Sequence, residues 1–159
     1  MVYVKKSRVV SGDPRKVWQL INEVERYPEW MPGVVEARVV SRPRGRKSGL
    51  GRRQLLKTAM KLGQGEILQE VVAWEPPHRI TWQHLKDIVD GKEIAQAKEI
   101  KTTLSMTYED GKMTFRMIGS WEPAGASSDG MKKMMQRTMA KNFEEALLNL
   151  EKLIQQEAS

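Results

Sequence analysis

The chain contains no cysteine, which excludes a disulfide, a thiolate nucleophile, an iron–sulfur cluster and Cys-ligated zinc. Only two histidines are present, His78 and His84, so a three-His metal site is excluded as well. Neither a metal nor a cofactor is expected. The longest apolar stretches, such as Val71–Trp74, run to three or four residues. A bilayer span needs ~20. The opening residues Met1-Val2-Tyr3-Val4-Lys5-Lys6 lack the basic start, apolar middle and small-residue cleavage site of a secretory signal. A cytoplasmic location is the expectation.

What remains is ordinary for a globular protein. With 159 residues, 40% of them hydrophobic and 30% charged, the chain suits one core with a solvated exterior, so a single domain over 1–159 is expected. Its 27 basic residues against 20 acidic ones leave a formal charge of +7. The excess is local. Between Ala37 and Leu62 lie Arg38, Arg42, Arg44, Arg46, Lys47, Arg52, Arg53, Lys57 and Lys61 with no acidic residue among them. Arg44, Arg46, Lys47 and Arg52 are therefore candidates to grip an anionic surface, RNA or lipid headgroups. A charged sheet edge that discourages aggregation accounts for the same residues.

Periodicity divides the chain into three parts. Val2–Val10 is β-branched and strand-like, although Lys6 and Arg8 interrupt its apolar alternation. In Ser11-Gly12-Asp13-Pro14, Asp13 is a natural N-cap and Pro14 a natural first helical residue. Val17, Leu20, Ile21 and Val24 then follow at helical spacing. Pro28 predicts a break at Tyr27 and a second short turn through Met31. From Val34 the alternation is that of strands: Val34–Ser41, Leu50–Leu62, Gly65–Trp74, Arg79–Leu85, Ala95–Tyr108 and Lys112–Trp121, divided by Gly or Pro punctuation. A final helix runs from Asp129 to about Gln156 with Met131, Met134, Met135, Met139, Phe143, Leu147, Leu150 and Ile154 on one stripe. The expected class is α+β: seven antiparallel strands curved around a long C-terminal helix, with two short helices after the first strand. A sheet that curls around a helix leaves space that is hard to fill, so a cavity is expected between them.

The run Val17-Trp18-Gln19-Leu20-Ile21-Asn22-Glu23-Val24-Glu25-Arg26-Tyr27-Pro28-Glu29-Trp30-Met31-Pro32-Gly33, preceded by Ser11-Gly12-Asp13-Pro14, resembles the signature of the START-like (SRPBCC) helix-grip superfamily. Its Tyr27-Pro28-x-Trp30-x-Pro32-Gly33 piece is most similar to the polyketide cyclase/dehydrase and coenzyme Q-binding branch, which includes ribosome-association toxin-like proteins. The resemblance implies a helix-grip fold with a hydrophobic tunnel for lipids, polyketides or quinones. It implies no catalytic motif, because a scaffold does not carry its chemistry with it.

Candidate ligand contacts follow from strand parity and from the helical stripe: Leu56, Met60, Trp82, His84, Thr102, Leu104, Met106, Phe115, Met117, Trp121, Met131, Met135, Met139 and Phe143. Thioethers adapt to varied ligand shapes, but they also fill ordinary cores. Trp18 and Trp30 read as packing residues. His84 shares parity with Ile80 and Trp82 and is the weak candidate for acid–base chemistry. No nucleophile accompanies it, and Asp87 falls past the expected strand end. Segments Asp87–Glu93 and Glu122–Asp129 are candidate lids. The leading expectation is a carrier of a hydrophobic small molecule, oriented by Thr102, His84 and Trp82, as monomer or homodimer. The alternatives are a polyketide cyclase/aromatase-type enzyme, and a ribosome- or membrane-associated protein acting through the basic hairpin 38–61.

Overall fold

The computed structural model describes residues 1–44, 49–60, 63–94, 97–123 and 129–158. Strand β1 (Val2–Ser11) leads into helix α1 (Pro14–Asn22) and a 3-10 helix (Val24–Glu29). Strands β2 (Val34–Ser41), β3 (Arg53–Met60), β4 (Gly63–Glu75), β5 (Arg79–Val89), β6 (Lys92–Ile94), β7 (Ala97–Glu109) and β8 (Lys112–Pro123) follow, and helix α2 (Asp129–Ala158) ends the fold. Every pairing is antiparallel, in the order β1-β8-β7-β5-β4-β3-β2, with β6 attached to β5. The α+β helix-grip architecture is as the residue pattern and the resemblance imply.

Local chemistry accounts for the entry into the helices. The Asp13 carboxylate accepts from the Arg15 backbone N–H at 3.0 Å, and Pro14 occupies the first turn. Val17, Trp18, Leu20 and Ile21 are buried. The break comes earlier than Pro28 predicts, at Glu23, whose extended backbone ends α1. Pro28 itself sits within the 3-10 helix, and the Tyr27 carbonyl accepts from the N–H groups of Trp30 and Met31.

Two expectations about loops are corrected. Asp87–Glu93 is not a free loop, because β5 continues to Val89, and Asp90 and Gly91, with φ of 49° and 78°, turn the chain into the additional strand β6. Consecutive positive-φ residues form the two-residue turn that matches the twist of a hairpin. Of the second segment, Glu122 and Pro123 belong to β8, and 124–128 lie outside the described residues.

Lys6 and Arg8, which break the apolar pattern of β1, reach α2: Lys6 pairs with Glu144 at 2.7 Å and Arg8 with Glu151 at 2.5 Å. Arg26 does the same from the 3-10 helix, pairing with Glu157 at 2.5 Å. Exposed pairs of this kind contribute about 0–1 kcal/mol each. They orient the helix more than they hold it. The holding is apolar, since Phe143, Ala146, Leu147, Leu150 and Ile154 of α2 are buried in one cluster with Val10, Val17, Leu20, Met113 and Phe115.

Candidate functional site

Burial along α2 is uneven. From Phe143 onward its apolar stripe is inside, Met135 and Met139 are half-buried, and Met131 and Met134 are 53% and 62% exposed. The helix closes on the sheet at its C-terminal half and stands off at its N-terminal half. A cavity of about 400 Å³ occupies the difference, within the usual range for small-molecule sites.

Its walls come from every layer. Leu56, Ile67, Gln69, Trp82, His84, Thr102 and Met117 rise from the sheet, and Met31, Pro32 and Val34 close one side. Met134, Met135, Thr138, Met139, Asn142, Phe143 and Ala146 descend from α2. Gly119 of β8 makes room beneath the helix: a β-carbon there would lie 2.5 Å from Met139 Sδ and 2.8 Å from Phe143 Cζ.

Of the expected contacts, Leu56, Trp82, His84, Thr102, Met117, Met135, Met139 and Phe143 line the cavity. Leu104, Met106, Phe115 and Trp121 do not. They are buried core residues outside its wall, a correction that strand parity could not supply because the inward face serves both core and cavity. Met131 is also corrected, since it lies at the exposed start of α2, outside the lining. Met60 belongs to β3, and its side chain is outside the described residues.

The basic segment divides. Arg46 and Lys47 lie outside the described residues, and Arg44 is exposed. Arg53 pairs with Glu70 at 3.0 Å and Lys57 with Glu36 at 3.5 Å. Arg52 is corrected outright: it is 2% exposed and unavailable to any external anion. Its guanidinium donates to Gln54 Oε1 at 3.1 Å, to Asn22 Oδ1 at 2.9 Å and to the Tyr27 hydroxyl at 3.4 Å, beside the face of Trp74. Burial pushes the Arg52 guanidinium below its ordinary value.

Tyr27 is the second buried anchor. Its hydroxyl receives Trp82 Nε1 at 3.1 Å and Gln54 Nε2 at 3.3 Å besides Arg52, and its ring meets Trp30 and Trp82 edge-on at 5.5 and 6.0 Å. Burial raises the Tyr27 phenol above its ordinary value. One expectation is thereby changed. The Trp82 N–H is already used, so Trp82 offers the cavity its flat apolar face and no donor.

Asp87, set aside in sequence as lying beyond the strand, is part of the site's surroundings. The pairing of β4 with β5 skips one residue between Gln69↔His84 and Leu68↔Lys86, leaving Leu85 as the extra residue of a bulge. The bulge returns His84 and Asp87 to one face, with His84 Nδ1 3.5 Å from Asp87 Oδ1. On the other side, His84 Nε2 is 3.4 Å from Gln69 Nε2. Gln69 had no signal of its own beyond a parity shared with Ile67 and Val71. Among the described residues, no group of three or more metal-ligating side chains comes together. No described helix is long and apolar enough to cross a membrane.

Solved structures share this architecture over nearly the whole chain. A START superfamily protein from Mycobacterium smegmatis has a TM-score of 0.74 at 15% identity, covering 97% of each chain. A protein from Thermus thermophilus gives 0.76 at 18% identity, covering 99% of this chain and all of that one. The Zhui aromatase/cyclase from a Streptomyces species gives 0.74 at 11% identity, covering 99% of this chain and 96% of the other. At such identities the likeness concerns the fold. No curated protein matches the sequence. Residues 1–155 match the family described as polyketide cyclase/dehydrase and lipid transport, and the chain belongs to that family.

Proposed function

We propose that the protein binds and carries a hydrophobic small molecule in the cavity between sheet and α2. The observation that carries this reading is the stand-off of the N-terminal half of α2 from the sheet, which leaves about 400 Å³ walled chiefly by thioether, aliphatic and aromatic groups. Transfer of apolar ligand surface out of water is worth ~25 cal/mol per Å² before ordering costs. Met135 and Met139 supply a wall that adapts to shape. The exposed Met134 marks where the cavity reaches the surface. Mass spectrometry of the native protein purified from cells tests the reading. A co-purifying apolar compound is expected, and protein that is repeatedly empty and refuses apolar probes overturns it.

A second reading, an enzyme of the cyclase or aromatase type, draws support from the placement of Asp87 beside His84. A carboxylate next to an imidazole stabilises the imidazolium formed when the ring takes a proton, and orientation inside a cavity contributes to rate by itself. His84→Ala separates the two: a carrier loses affinity alone, whereas an enzyme loses turnover on a polyketide-like substrate.

A further inference from the structure

A polar chain runs behind the cavity and reaches its wall at Gln69 and His84, and the hydrogen bonds along it all point one way. It starts at Arg52, which has only donors to offer and is held in place by Asn22. Arg52 Nε donates to Gln54 Oε1, which leaves the Gln54 amide nitrogen to donate onward, to Gln69 Oε1 at 3.0 Å. Gln69 Nε2 must then also donate, and the atom facing it at 3.4 Å is His84 Nε2. The remaining ring nitrogen, Nδ1, is buried against Asp87 Oδ1, and neither atom has a hydrogen-bond partner among the described residues. Gln54, Gln69 and His84 are direct cross-strand partners on β3, β4 and β5, so the backbone register holds the chain together.

We propose that this chain fixes His84 as the tautomer with its hydrogen on Nδ1, and that the Gln69 amide N–H and the His84 Nε2 lone pair together recognise a hydroxyl group, alcohol or phenol, on the hydrophobic ligand. The proposal rests on the carrier reading and deepens it. The 3.4 Å separation is longer than the usual 2.7–3.2 Å of a nitrogen hydrogen bond, so the direct contact is weak, and a shift of about 1 Å by the Gln69 amide admits a hydroxyl oxygen bonded to both nitrogens. A hydroxyl oxygen accepts from the amide and donates to the ring, satisfying both. A ketone or ether accepts from the amide but leaves Nε2 without a donor, and a carboxylate sets negative charge against its lone pair. Gln69 and His84 both line the cavity, whereas Arg52 and Gln54 act only through them, as positioning residues.

The test uses two probes of nearly equal apolar surface, 2-naphthol and 2-methoxynaphthalene, and the full-length protein. Nitrogen-15 NMR of the wild-type His84 ring should show Nδ1 protonated and Nε2 bare, and 2-naphthol should bind at least about tenfold more tightly than its methyl ether. In Gln54→Met, which frees the Gln69 amide to turn over, the tautomers should mix and the preference should shrink. The tautomer is read on the wild-type protein, so poor folding of a variant does not shelter the idea. A proton on Nε2, or equal affinity for the two probes, overturns the proposal and leaves the carrier reading standing. If neither probe binds, the proposal falls, and the carrier reading falls with it when no apolar compound co-purifies either.

Discussion

Phe143 of α2 packs where a side chain on Gly119 of β8 would have to be, with its Cζ 2.8 Å from the position of the missing β-carbon. The gripping helix is thus set by an absence on the sheet. Gly119→Ala should cost about 1–3 kcal/mol, because Met139 can swing away but the buried Phe143 ring cannot. Urea denaturation measures the loss, and an unchanged midpoint would show that the contact does not position the helix.

Filling the cavity separates binding from stability. Met139 is half-buried on its wall, so Met139→Trp should occupy the ligand's space at a cost of about 1–3 kcal/mol. Calorimetry with 2-naphthol should register no binding, alongside a thermal transition that is lowered but still cooperative. Retained affinity in that variant would place the ligand elsewhere.

Tyr27 should make the fold sensitive to alkali. Its phenol is raised by burial, so the folded state keeps a proton that the unfolded chain gives up. The associated stability is fully present below the unfolded value of about 10 and is lost as pH rises toward the folded one, at up to ~1.4 kcal/mol per pH unit. Tyr27→Phe should lose ~1–3 kcal/mol at neutral pH, since the Trp82 N–H loses its acceptor and Arg52 and Gln54 each lose one of their hydrogen bonds. Its stability should then fall less steeply than wild type above pH 10. Parallel pH profiles would show that the hydroxyl does not titrate with unfolding.

Arg26 should govern the acid side. Its hydrogen bond to Glu29, 2.7 Å long, holds that carboxyl below the ordinary carboxylate value. The interaction is therefore present above about pH 4.5 and lost as pH falls through the folded value. In Arg26→Met the Glu29 carboxyl should titrate at its ordinary position by NMR. The last turn of α2 should also exchange its amide hydrogens faster, because Glu157 loses the same partner. Unaltered exchange there would mean that the pair does not secure the helix end.

Much of this architecture was legible along the chain, because local chemistry specifies it. Asp13 and Pro14 start α1, alternation marks the strands, and the stripe from Phe143 to Ile154 selects the buried face of α2. Arg52 could have been placed as well: it shares parity with Leu56, yet reading Arg38–Lys61 as one charged surface concealed its inward position. His84 was recognisable by parity, but Asp87 was not, since the bulge at Leu85 shifts the count by one residue and sequence carries no mark of it.

The residues taken in order determined which elements form and which faces are apolar, because capping, turn chemistry and periodicity act between near neighbours. Only the folded molecule decided which inward residues are core and which line open space. That division depends on how far α2 stands from the sheet, and its height is set by Gly119 meeting Phe143 across a gap in sequence that no local pattern spans. The one-way chain from Arg52 to His84 likewise exists only once three strands lie in register.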